Sequence, residues 1–259
     1  MKTAAALVAL AFGITTSHVL AQLPGSTPLA PVFESGDMQT TLIELFTSEG
    51  CSSCPPADEW ISQLKDSPDL WTKIVPVAFH IDYWDNLGWR DHFAKPEFTA
   101  RQRQYVATWR GDSVYTPGFV VNGREWRDWH GNRAPWRERS TKAGNLRVTL
   151  SNETDVTAIF TREGSRTSPV HLYVALLGSN LESNVKGGEN SGRKLRHDFV
   201  VLQLAKTDLI ARGSDRWIGS ISLSKQNAEK PRALAAWVSE GDVDLPIQAT
   251  GGWLTSPLR

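Results

Sequence analysis

Residues 44–60 read ELFTSEGCSSCPPADEW and hold both cysteines of the chain, Cys51 and Cys54. The run TTLIELFT (residues 40–47) is continuously apolar and of strand length, suited to a strand buried on both faces. Beyond the cysteines, Ser52 or Ser53 can cap a helix, Pro55 suits its first turn, and Ile61 and Leu64 keep helical spacing. KIVPVAFHI (73–81) follows as a second buried strand. Strand, helix and strand in this order predict a parallel unit with the cysteine pair at the helix N-terminus. There the first-turn N–H groups and the helix dipole favour a thiolate, so Cys51 is expected to attack. Cys54, one turn later, is placed to resolve a mixed disulfide. Two other meanings stay open. The pair could clip a soft cation such as Cu(I) together with His80 or His130. It could also be a structural staple, although closing so small a ring is worth only roughly 2 kcal/mol, against about 4.7 for a 100-residue loop.

The 259 residues carry 28 Lys plus Arg and 28 Asp plus Glu, a net charge of zero. No basic surplus exists to recruit nucleic acid or an anionic membrane. Residues 1–21 read as a secretory signal peptide: Lys2, an apolar run from Ala4 to Gly13, and Val19-Leu20-Ala21 before a cleavage site at Gln22. The run is far shorter than the ~20 apolar residues of a membrane span, and no span is expected once the signal is removed. The mature protein is therefore expected to be exported, periplasmic or secreted, in an oxidising compartment where disulfides persist. Residues 22–38 are rich in Pro, Gly and Ser and read as a linker. Residues 39–143 form one expected domain, and residues 144–259 another. The second holds seven short, mostly alternating runs and reads as an antiparallel β-sandwich-like domain with a C-terminal tail.

Between the second strand and residue 143 the chain opens as an aromatic loop and then reads as a helix from Pro96 to about Trp109. Thr116-Pro117, a short strand from Phe119 to Val121, and the hairpin signal Asn122-Gly123 come next. Residues 124–143 suggest a closing helix or an irregular cover. This order resembles the thioredoxin-like fold, in which an X–Pro bond, typically cis, lies beside the CxxC and the preceding residue offers its backbone to substrate. The resemblance implies an α/β domain, a central mixed sheet with flanking helices, and a catalytic set of Cys51, Cys54, Thr116 and Pro117. ELFTSEGCSSCPPAD, FHIDYWDNLGWRDHFAKPEFTARQRQY, YTPGFVVNG and GENSGRKLRH together resemble an exported bacterial family known as domain-of-unknown-function family 1223. Its members often carry Gln after the Thr-Pro pair; Gly118 stands there in this chain and opens the lip of the site.

Glu44 lies in an otherwise apolar strand and is either a proton relay for Cys54 or a hydrogen-bonded buried glutamate. Glu49 opposes a thiolate at Cys51. His80, Asp82, Tyr83, Trp84, Asp85 and Trp89 follow the C-terminal end of the second strand, the ligand side of a parallel sheet. Eight of the eleven Trp fall between Trp60 and Trp136, enough for an aromatic groove for a peptide or small apolar ligand, or for core packing. Glu189, Asn190, Arg193 and His197 sit on a Gly-rich loop that closes over the site or forms a solvated hairpin tip. The function expected is thiol–disulfide exchange with a protein or small-molecule thiol or disulfide substrate. The alternatives are a copper-handling protein and a non-catalytic peptide- or ligand-binding module. No cofactor, resident metal or nucleic-acid partner is expected.

Overall fold

The computed structural model describes residues 30–254 apart from 132–133, 135, 137–140, 165–167, 226–228 and 242–243. The signal peptide, residues 22–29 of the linker and the last five residues lie outside the described residues. The first element, β1 (Val32–Glu34), falls within the expected linker, where it buries Phe33 between two exposed neighbours. β2 (Thr41–Thr47) is buried at every position, α1 (Pro55–Gln63) follows the cysteines, and β3 (Ile74–His80), also buried throughout, pairs in parallel with β2. α2 (Pro96–Thr108) starts on a proline after an extended Lys95. β4 (Gly118–Val121) turns through Asn122-Gly123, both at positive φ, into β5 (Arg124–Glu125). Beyond β5, the described part of 126–143 holds a short 3-10 turn at Asp128–His130 and a bridge from Lys142 to Met38.

The remaining strands are β6 (Asn145–Ser151), β7 (Asp155–Thr161), β8 (Val170–Asn184), β9 (Lys194–Asp208), β10 (Ile210–Ala211), β11 (Arg216–Ser222), β12 (Ala233–Glu240) and β13 (Leu245–Trp253). They form two sheets, ordered β1-β6-β7-β11-β10 and β13-β12-β8-β9-β3-β2-β4-β5. This overturns the expected fold class. Among the described residues the chain is mainly β with two α-helices, and no helix-flanked thioredoxin-like domain stands apart from a sandwich. The eight-stranded sheet runs through both halves, because β9 pairs in parallel with β3 through Val200 opposite Ala78. β8 and β9 are fifteen residues each, and three register shifts between Leu176 and Leu181 bend the pair. One arm of the hairpin thus continues the sheet beside β3 while the other joins β12.

Alternation decides what each face buries. Leu172, Val174 and Leu176 of β8, with Leu234, Ala236 and Val238 of β12, pack against Leu146, Val148 and Phe160 of the five-stranded sheet. The intervening Tyr173, Ala175, Leu177 and Trp237 belong to the other core, with β2, β3, Ile61 of α1 and Phe98 and Tyr105 of α2. The loops after β2, after β3 and between β8 and β9 meet at one end of this sheet.

Candidate functional site

Cys51 and Cys54 form a disulfide with a Cα–Cα separation of 5.4 Å, and both residues are 0% exposed. Their loop is a tight turn: the Cys51 N–H donates to the Ser48 carbonyl at 3.2 Å, and the Cys54 N–H to the Cys51 carbonyl at 3.2 Å. Pro55 and Pro56 open α1, and the Cys54 carbonyl accepts from the N–H groups of Ala57 and Asp58. Of the two intervening serines, Ser53 places its Oγ 3.3 Å from the Cys51 sulfur. The Thr116–Pro117 bond is cis. Trp84 ties this segment to the cysteine loop: its indole N–H donates to Thr116 Oγ1 at 2.8 Å, and its Cβ abuts Gly50, where an added side-chain carbon would meet it at 3.0 Å.

A cover lies over the disulfide. The tip of the β8–β9 hairpin brings in Asn190, fully buried, whose Nδ2 donates to the carbonyls of Glu49 and Cys51 at 2.9 Å each. Arg193 Nη1 donates to Asn190 Oδ1 at 2.8 Å and fixes the amide's orientation. Glu189 Oε2 accepts from the Ser52 N–H at 3.0 Å. A side-chain carbon at Gly187 would stand 2.2 Å from the Gly88 carbonyl oxygen, so the hairpin tip and the Asp82–Trp89 loop meet backbone to backbone.

Beneath the cysteines sits a buried charged cluster. His80 Nδ1 and Asp91 Oδ2 are 2.6 Å apart, and Asp91 also accepts from the N–H groups of Glu49 and Phe93. Trp89 Nε1 donates to Glu49 Oε2 at 2.7 Å. His197 Nε2 approaches Glu49 Oε1 to 3.4 Å without the alignment of a hydrogen bond, and its Nδ1 lies 3.9 Å from Asp58 Oδ2. Burial disfavours a charge on His80, but the Asp91 carboxylate outweighs it and pushes its pKa up to about 9. Burial acts against Asp91 and Glu49 too; the His80 charge holds Asp91 below the usual carboxylate range, and His197 and Trp89 hold Glu49 below it. At Asp58 burial wins, and its pKa is raised despite His197 and His80. Glu49 Oε1, His80 Nε2 and both ring nitrogens of His197 have no hydrogen-bond partner.

The sequence candidates divide between this site and other places. Glu189, Asn190, Arg193 and His197 reach the cysteine loop or the cluster beneath it, and His80 and Trp89 lie in that cluster. Glu44 does not join them; it bonds Arg101 Nε at 2.6 Å and the Tyr105 hydroxyl at 2.5 Å, which uses both carboxylate oxygens. Asp82 accepts from the Thr99 hydroxyl of α2, and Tyr83 donates to Gln102. Gly118 is buried between Gln102 and Tyr115. Aromatic surface does form a cleft of about 220 Å³, but Tyr115, Trp126 and Trp129 line it with Pro117, not the loop after β3. Two members of the cluster escaped sequence reasoning. Asp58 carried a usable signal, a carboxylate four residues after Cys54 on the helix face that buries Ala57 and Ile61. Asp91 carried none, since nothing periodic surrounds it.

A family model described as "Protein of unknown function (DUF1223)" matches residues 42–239. Among solved structures, the chain is similar to protein AGR_C_4864 from Agrobacterium tumefaciens, with 23% identity, a TM-score of 0.60, and coverage of 85% of this chain and 95% of that one. It is also similar to HBP35 of Porphyromonas gingivalis, with 17% identity, a TM-score of 0.57, and coverage of 85% and 76%. At these identities the likeness concerns the fold alone. No curated protein matches the chain.

Proposed function

The chain belongs to the DUF1223 family of proteins of unknown function, and from the geometry of its cysteine site we propose that it carries out thiol–disulfide exchange in an exported setting. In the reduced protein, the Cys51 thiolate attacks one sulfur of a substrate disulfide and the other substrate sulfur leaves as a thiol. Cys54 then attacks Cys51 in the mixed disulfide, restoring the Cys51–Cys54 bond and releasing the second substrate thiol. Run backwards, the same steps oxidise a substrate dithiol. Ser53 Oγ, 3.3 Å from the Cys51 sulfur, is placed to donate a hydrogen bond to the thiolate.

The observation that carries this reading is a fully buried disulfide whose cover is held by side-chain bonds to the backbone of the cysteine loop itself. A substrate sulfur reaches the pair once the hairpin tip lets go. Cys54→Ser should therefore accumulate a mixed disulfide with a small disulfide probe, and Cys51→Ser should not. Asn190→Ala removes two hydrogen bonds, each worth about 1 kcal/mol, and should speed reduction of the pair by dithiothreitol by up to roughly thirtyfold. A reduction potential far below about −300 mV, the range of inert structural bridges, would overturn the proposal.

A further inference from the structure

We propose that Glu49, Asp91 and His92 form a site for a divalent transition-metal cation of the zinc class, with His197 against Glu49 as a positioning residue, independent of exchange at the cysteines. One donor atom from each of Glu49, Asp91 and His92 lies within 4.8 Å of the other two. Zinc bonds of about 2.0–2.1 Å in tetrahedral geometry put neighbouring donor atoms about 3.3 Å apart. His197 Nε2 stands 3.4 Å from Glu49 Oε1 and fixes the position of that oxygen. His92 Nδ1 stands 4.0 Å from the same oxygen on a half-exposed side chain, and a small rotation of its ring closes the difference.

The second, independent observation is polar saturation. Glu49 is 0% exposed and its Oε1 has no hydrogen-bond partner; His197 is 2% exposed and its Nε2 has none either. The two atoms form an ion pair without hydrogen-bond alignment, and a cation on Oε1 supplies the directed partner that this oxygen lacks. The remaining oxygens are already oriented from outside. Trp89 Nε1 bonds Glu49 Oε2, while His80 and the Phe93 N–H hold the two oxygens of Asp91. Outer partners of this kind fix ligand geometry in metal centres. An imidazole with two carboxylates suits zinc better than calcium or magnesium, which take oxygen alone. With both cysteines in a disulfide there is no thiolate pair to draw Cu(I). His92 supplies the exposed side from which an ion enters.

Calorimetric titration of metal-stripped, disulfide-intact protein with zinc should show one equivalent per chain. Substituting Co(II) should give the visible absorption bands of a four-coordinate centre. His92→Ala, at a half-exposed position, and His197→Gln should each weaken zinc at least tenfold; Trp89→Phe, which removes only the outer hydrogen bond to Glu49 Oε2, should weaken it about 10–100-fold. No uptake at stoichiometric zinc, or uptake that either His92→Ala or His197→Gln leaves unchanged, would overturn the proposal.

Discussion

Two buried charge networks lie in one half of the molecule, and they are built on opposite plans. Around Glu44 every charged group is answered. Arg101 bonds it through Nε, Tyr105 donates to its other oxygen, and Arg101 Nη2 donates to the same tyrosine at 2.8 Å. The guanidinium also lies 5.0–5.6 Å from the rings of Phe79, Tyr105, Tyr173 and Trp237, which joins α2 to β8 and β12. Around Glu49 the charges are as deeply buried, yet four polar atoms of Glu49, His80 and His197 lack partners. Both carboxylates are equally buried, and what separates the two networks is how completely their polar atoms are satisfied. The saturated network is structural, and the unsaturated one underlies the disulfide.

The largest test of this contrast is Arg101→Met. It strands Glu44 as an unpaired buried carboxylate and should lower unfolding free energy by about 3–5 kcal/mol in urea denaturation. Glu49→Gln should change stability by less than about 1 kcal/mol, because Glu49 has one unanswered oxygen already; equal losses in the two variants would erase the distinction.

A smaller effect is expected from His80 in metal-free protein. Folded His80 holds its proton up to about 9, against 6.5 as the ordinary value. Its stabilising contribution is therefore complete below pH 6.5 and is lost as pH rises through about 9. The loss should be at most roughly 3 kcal/mol and absent from His80→Gln when the two are compared across that window.

The smallest and oppositely signed effect is expected at Asp58. Its carboxyl is raised by burial, so the folded state favours the neutral form and becomes less stable as pH climbs through that raised value. Asp58→Asn should gain about 1 kcal/mol at neutral pH and nothing in acid, read from urea midpoints at the two pH values. A loss at neutral pH would mean the carboxylate is as well satisfied as Glu44.

What could be read from the sequence was local. The buried strands at 41–47 and 74–80, the helix starting on Pro55 and the Asn122-Gly123 turn each declare themselves within a few residues. The fold class was not legible. It turns on β9 joining β3 some 120 residues away, and parallel pairing at such a distance leaves no local pattern. The site was legible in the same proportion. The cysteines and the Glu189–His197 segment stand out by composition, whereas the choice at Glu44 between proton relay and hydrogen-bonded glutamate falls to the second through Arg101, 57 residues further along. Asp58 is marked only by its spacing from Cys54, a weaker cue than composition, since a single charged position does not reveal which face is covered.

The pairing of β3 with β9 also has a consequence for how the chain can be divided. A fragment ending near residue 143 would keep both cysteines, α1 and the cis proline, and so would look self-sufficient on paper. It would also present the far edge of β3, buried along its whole length in the intact chain, as an open row of backbone donors and acceptors. Such an edge recruits other strands, including copies of itself. The second half of this protein thus supplies the strand that covers this edge of the first.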